Sequence, residues 1–112
     1  MLAYNNNPAV LRTLFCLRDQ STAPSSVLVV DNGSDPPVAE YLKDNEFVLK
    51  DHESVLRLEA NRGVGAGHNT ALRAAMDSDC EFAWLLEHDT FVLENCLSAM
   101  LARYQQTQDP SV

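Results

Sequence analysis

A parallel α/β fold is predicted by three features of this 112-residue chain. Short apolar runs alternate with segments of helical periodicity. Two of these runs, Val27 to Val30 and Phe82 to Leu86, contain no charged residue, the pattern of strands covered on both faces. Each run ends in polar, turn-forming residues, so the functional edge is expected at the carboxyl ends of the strands. Strands separated by helices need crossover connections and hence form a mostly parallel sheet with flanking helices.

The elements follow in order. Leu2-Ala3-Tyr4 is a short first strand. Asn5-Asn6-Asn7-Pro8 turns the chain into a helix, with Asn7 as N-cap and Pro8 at the first helical position. Val10, Leu11, Leu14 and Leu17 then share one helical face. Gln20 to Ser26 is a polar loop. The strand Val27 to Val30 runs into Asp31-Asn32-Gly33-Ser34-Asp35, a dense cluster of turn formers. Val38 to Leu42 suits a short helix. Phe47-Val48-Leu49 suits either a small strand or simple packing, and Val55 to Leu58 is a better strand. Asn61 to Asn69 is glycine-rich and opens a helix through about Met76. The run Phe82 to Leu86 is a further strand, ending at Glu87-His88-Asp89-Thr90. A last helix is expected from Phe91 to about Gln105.

Composition narrows the function classes. Sixteen acidic and eight basic residues give a formal net charge of -8. Such a chain repels phosphate backbones and anionic headgroups, which argues against general nucleic-acid or membrane-surface binding. It can still bind a single nucleotide through a metal ion and local backbone N–H groups. A hydrophobic fraction of 46% suits one folded domain over 1–112. No apolar run approaches the ~20 residues of a membrane span. The segment Met1 to Pro8 lacks the basic and apolar blocks of a signal peptide. Cys16, Cys80 and Cys96 are odd in number and form no CxxC pair, so reduced thiols and a cytoplasmic location are expected. Cys16, Cys96 and Trp84 lie among apolar residues and read as core. His52, His68 and His88 form no metal-ligand pattern.

Three clusters carry chemistry. Glu87 and Asp89 flank one residue directly after an apolar strand, and strand alternation puts them on one face. Such an acidic pair suits Mg²⁺ or Mn²⁺, hard ions that take oxygen ligands and keep several waters. A solvated strand end with Asp89 or Thr90 capping the next helix fits the same residues. Asp31, at another carboxyl end, suits hydrogen bonds from a nucleobase or ribose, or an ordinary turn. In the stretch Asn61 to Asn69, glycines allow close backbone approach to a ligand, and the helix start beyond offers free N–H groups. It is not the GxGxxG fingerprint, because His68 stands where the third glycine would fall. It is not a Walker A loop either, since no Gly-Lys-Ser/Thr follows.

In this order and at these spacings, four motifs resemble the first half of a family-2 glycosyltransferase of the rhamnosyltransferase-like group. They are Tyr4-Asn5-Asn6-Asn7, Val29-Val30-Asp31-Asn32-Gly33-Ser34, Asn61-x-Gly63 continuing to Gly67-x-Asn69, and Leu85-Leu86-Glu87-His88-Asp89-Thr90. The likeness runs from Leu2 to about Arg103. It implies a Rossmann-like GT-A half-domain with a truncated first strand, a nucleotide-diphosphate sugar as ligand, and a divalent metal, Mg²⁺ or Mn²⁺. By the same resemblance Tyr4, Asn5 and Asp31, with Asn32 beside it, contact base and ribose, and Asn61, Gly63 and Asn69 shape the nucleotide pocket. Asp89 matches the metal-binding final acid of the family's DxD motif. Glu87 matches its first acid, with Glu in place of the usual Asp or Asn.

Two departures set further expectations. The family's chain continues into an acceptor half that carries the catalytic base, and its first strand is longer. The expected function is therefore donor binding by a glycosyltransferase fragment that does not transfer sugar alone. A non-catalytic nucleotide-binding or interaction module is the alternative. A homodimer is expected through the last helix, where Leu93, Leu97, Met100 and Leu101 would be uncovered.

Overall fold

The computed structural model describes residues 1–108. Strands β1 (Leu2–Ala3), β2 (Val27–Asp31) and β3 (Glu53–Arg57) form a parallel sheet in the order β1-β2-β3. Helices α1 (Asn7–Arg18) and α2 (Val38–Asp44) make the two crossovers. Helix α3 (Val64–Met76) follows β3, and α4 (Cys96–Gln108) ends the described residues. Leu2 pairs with Val30 and Ala3 with Asp31, while Val27 to Asp31 pair in step with Glu53 to Arg57.

Alternation along the strands assigns the two faces of the sheet. Ala3, Val27 and Val29 join a buried cluster with Val10, Leu14 and Leu17 of α1 and Val38 and Leu42 of α2. These two helices pack together on that face. Leu2 and its register partner Val30 point the other way, and α3 covers them. At Gly67 the approach is so close that a Cβ would overlap the Leu2 side chain. Burying each of the large α1 side chains stabilises the layer by roughly 1.5–3 kcal/mol.

Phe47-Val48-Leu49 forms no strand. Phe47 is buried and meets Phe15 edge-on, with ring centroids 5.1 Å apart. The Arg18 guanidinium stands 4.0 Å over the same ring and donates through Nε to Glu53 at 2.9 Å. The stretch therefore serves as packing, one of the two options its sequence offered.

Strand β3 runs Glu53–Arg57 rather than Val55 to Leu58, and three further features differ from the sequence reading. Asn6, not Asn7, is the N-cap of α1. The Asn7 amide instead donates to the Pro36 carbonyl at 2.9 Å, so it is committed to another loop. Phe82 to Leu86 is not a strand; one parallel bridge, Leu2 to Glu87, stands in its place. The reason is the length of its neighbour. Leu2 donates to the Leu86 carbonyl and accepts from the His88 N–H, and a strand of two residues has no further groups to offer. Helix α4 begins at Cys96 rather than at Phe91. Residues 91–95 are held instead by the loop that follows α1. Gln20 donates to the Leu93 carbonyl at 2.6 Å and accepts the Leu97 N–H at 3.1 Å, while the Ser21 N–H reaches the Glu94 carbonyl at 2.8 Å.

Candidate functional site

The carboxyl edge of the sheet is built around Asp31. It ends β2 and is fully buried. Its Oδ1 accepts the Ser34 N–H at 2.9 Å, and its Oδ2 accepts the Val38 N–H at 2.9 Å and Arg57 Nη1 at 2.8 Å. Burial alone would raise the Asp31 pKa. The donors from Val38, Ser34 and Arg57 outweigh it and hold the carboxyl below its ordinary value. The carboxylate thus fastens both the turn and the start of α2.

The turn after β1 docks on the same loop. Asn5 takes a left-handed conformation, φ 47°, tolerated by asparagine better than by most residues. Its N–H donates to the Ser34 hydroxyl at 3.0 Å, and its Oδ1 accepts the Asp35 N–H at 2.9 Å. Tyr4, just before it, is exposed.

A second clasp joins the loops after β2 and β3. Asn32 is buried. Its amide donates to Asn61 Oδ1 at 3.1 Å and to the Gly63 carbonyl at 3.2 Å, and its Oδ1 accepts the Arg62 N–H at 3.0 Å. Gly33, at φ 83°, lets the loops meet, because a Cβ there would stand 2.7 Å from the Asn61 nitrogen. Asn61 and Gly63 remain exposed at the mouth of α3, and Asn69 is exposed one turn further along it.

The acidic motif lies beyond the Leu2 bridge. Thr13 of α1, itself buried, donates to the His88 carbonyl at 2.8 Å and lies 3.5 Å from the Thr90 carbonyl. One hydroxyl therefore touches the backbone on both sides of Asp89. The Asp89 side chain is exposed and makes no hydrogen bond among the described residues. Glu87 lies half-exposed, its Oε1 2.7 Å from Nε2 of His68 on α3. Because 88 and 89 form a turn, strand alternation does not relate Glu87 to Asp89.

The edge thus links Asn5, Asp31, Asn32, Asn61 and Gly63 through hydrogen bonds, and ties Glu87 to α3. Tyr4, Asn69 and Asp89 stand exposed around them. Sequence reasoning missed Ser34, Arg57 and Thr13. Thr13 carried a signal, since a polar residue among Val10, Leu14 and Leu17 on an apolar face needs a partner.

Among the described residues no three His, Cys, Asp or Glu side chains gather as a cage. Mg²⁺ and Mn²⁺ commonly take one or two carboxylates and complete their shell with phosphate oxygens and water. Of the acids at this edge, Asp89 is exposed and without a hydrogen bond among the described residues, with Glu87 two residues away, so these are the two that could hold such an ion.

A parallel sheet with helices on both faces and its polar loops gathered at the carboxyl edge defines a Rossmann-like α/β protein, here a half-domain of the GT-A kind. The chain belongs to glycosyl transferase family 2, whose model matches residues 1–112. No curated protein and no solved structure matches it. Among the described residues no helix is long and apolar enough to cross a membrane.

Proposed function

We propose that the carboxyl edge binds a nucleotide-diphosphate sugar together with Mg²⁺ or Mn²⁺, as the donor site of metal-assisted glycosyl transfer. The observation that carries this reading is the convergence of four loops, distant in sequence, on one sheet edge of a family-2 glycosyltransferase chain. Tyr4 offers an exposed ring and Asn5 an ordered turn for the base and ribose. Asp31 and Asn32 act from beneath by fixing that turn and its clasp. Asn61, Gly63 and Asn69 line the approach to α3, whose first N–H groups suit anionic oxygen.

Asp89 is the metal ligand in this proposal, and Glu87 its neighbour at the diphosphate. The ion, when bound, supplies charge stabilisation for the departing diphosphate. The protein's own part is to fix the backbone that presents this carboxylate, through the Thr13 contacts on either side of Asp89.

Calorimetric titration with UDP, GDP and dTDP, with and without Mn²⁺, tests the reading. Binding that requires Mn²⁺ supports it. Absence of binding to all three would leave an interaction module as the better account.

Two further points belong to the proposal. The chain forms a homodimer through α4 and the segment before it, a reading supported by a helix with no buried residue. It resides in the cytoplasm, which suits three cysteines that are all free thiols.

A further inference from the structure

His68 has no role in the donor site as drawn so far. It lies in the second turn of α3, and its Nε2 is 2.7 Å from Oε1 of Glu87. A carboxylate only accepts, so the ring N–H is the donor. The two side chains are 21% and 45% exposed. Backbone packing brings them together. Gly67 lets α3 rest directly on Leu2, and Leu2 bridges to Glu87. The residue after the close-packed glycine thus faces the residue at the bridge. The second oxygen of Glu87 has no hydrogen-bond partner among the described residues.

An unheld glutamate at this exposure samples several rotamers, and a ligand that needs one of them bears the cost of ordering it. Hydrogen-bonded partners of carboxylates at metal sites are known to remove that cost. We propose that His68 is a positioning residue: it fixes the Glu87 carboxylate through one oxygen, so that the remaining oxygen serves the divalent ion or its waters. The proposal rests on the donor-site reading above, and it concerns the Glu that stands where the resembled motif usually has Asp or Asn.

The test follows Mn²⁺ uptake by the full chain through the paramagnetic resonance of the free ion, in the presence of UDP, GDP or dTDP. His68→Ala is expected to weaken Mn²⁺ binding by about tenfold. His68→Gln, whose amide N–H can take the place of the ring donor, is expected to restore most of that loss. In a Glu87→Ala background the His68→Ala change is expected to add nothing. Circular dichroism and the urea midpoint should stay as in wild type, which separates positioning from a loosened α3. Wild-type Mn²⁺ affinity in His68→Ala overturns the proposal and leaves the donor site standing. So does a loss that persists without Glu87, or one that comes with a lowered urea midpoint. No Mn²⁺ uptake by the wild-type chain overturns both together.

Discussion

Arg57 donates to Asp31 at 2.8 Å, and the two are also register partners at the ends of adjacent parallel strands. Register partners share a face, so the ion pair locks β2 to β3 where the loops of the site begin. Arg57 reaches the Ser34 carbonyl as well, at 3.0 Å. Asp31→Asn keeps the shape but turns an amide N–H toward groups that are already donors. The expected loss is about 2 kcal/mol, read as a lower urea midpoint at unchanged slope. A midpoint equal to wild type would show that the buried carboxylate is dispensable to the edge.

The same residue sets an acid limit. Asp31 is held below its ordinary 3.8 because its donors outweigh the effect of burial. Glu53 is held below its ordinary 4.5, first by the hydrogen bond from Arg18, against burial. Both folded values lie below the unfolded ones, so the unfolded chain binds protons more readily as the pH falls. Their stabilisation is complete above the unfolded values and disappears as pH drops through the folded ones. Melting followed by circular dichroism should be insensitive to these two groups from pH 7 to about 5 and fall below that. Asp31→Asn should fall less steeply, and an unchanged slope would remove Asp31 from the account.

Asp89 is exposed, so its replacement should separate binding from folding. Asp89→Asn is expected to abolish Mn²⁺-dependent nucleotide binding and to leave the unfolding free energy within about 0.5 kcal/mol of wild type. Unchanged metal-dependent affinity would transfer the ligand role away from this residue.

Thr13 should behave in the opposite way. Thr13→Val keeps the volume but strips the donor from the His88 carbonyl, a buried change expected to cost about 1–2 kcal/mol. Because the hydroxyl sits against the backbone on both sides of Asp89, metal-dependent nucleotide affinity should fall along with stability. Thr13→Ser should recover both. Loss of stability with full Mn²⁺-dependent affinity would show that the acidic turn does not need the clamp.

What the sequence reveals here follows from how local each feature is. Val27 to Val30 and the opening of α3 at the glycine-rich stretch are legible because periodicity, turn formers and glycines all sit within the segment. The turns that carry Asn5, Asp31 and Asn61 are legible for the same reason. Phe82 to Leu86 reads as a strand, but pairing belongs to two segments, and Leu2–Ala3 is too short to hold it. The start of α4 is set by Gln20, far away in the chain, which accepts the Leu97 N–H. His68 lay inside a recognised motif, but its partner Glu87 is 19 residues away, beyond any local signal.

The last prediction concerns the surface around α4. None of its residues is buried. Phe91 and Leu93 just before it are 68% and 63% exposed, and Met100 is 42% exposed. Phe82 meets Tyr104 edge-on with centroids 4.9 Å apart, yet both residues remain about half exposed. Where exposed apolar groups such as these join into one patch, they tend to become interfaces. A second copy is the proposed occupant, in a two-fold arrangement where the same patch meets itself. Several hundred Å² of apolar area per subunit, at roughly 25 cal/mol per Å², gives a gross gain of many kcal/mol. Lost rotational and translational freedom offsets about half or more, so a weak to moderate dimer is expected. Sedimentation equilibrium at micromolar concentration should report a mass above the 12.4 kDa of one chain. Leu93→Glu with Met100→Glu should return it to a single-chain mass while leaving the circular dichroism unchanged. A single-chain mass for the wild type at every concentration would rule out the dimer and the uncovered-face argument with it.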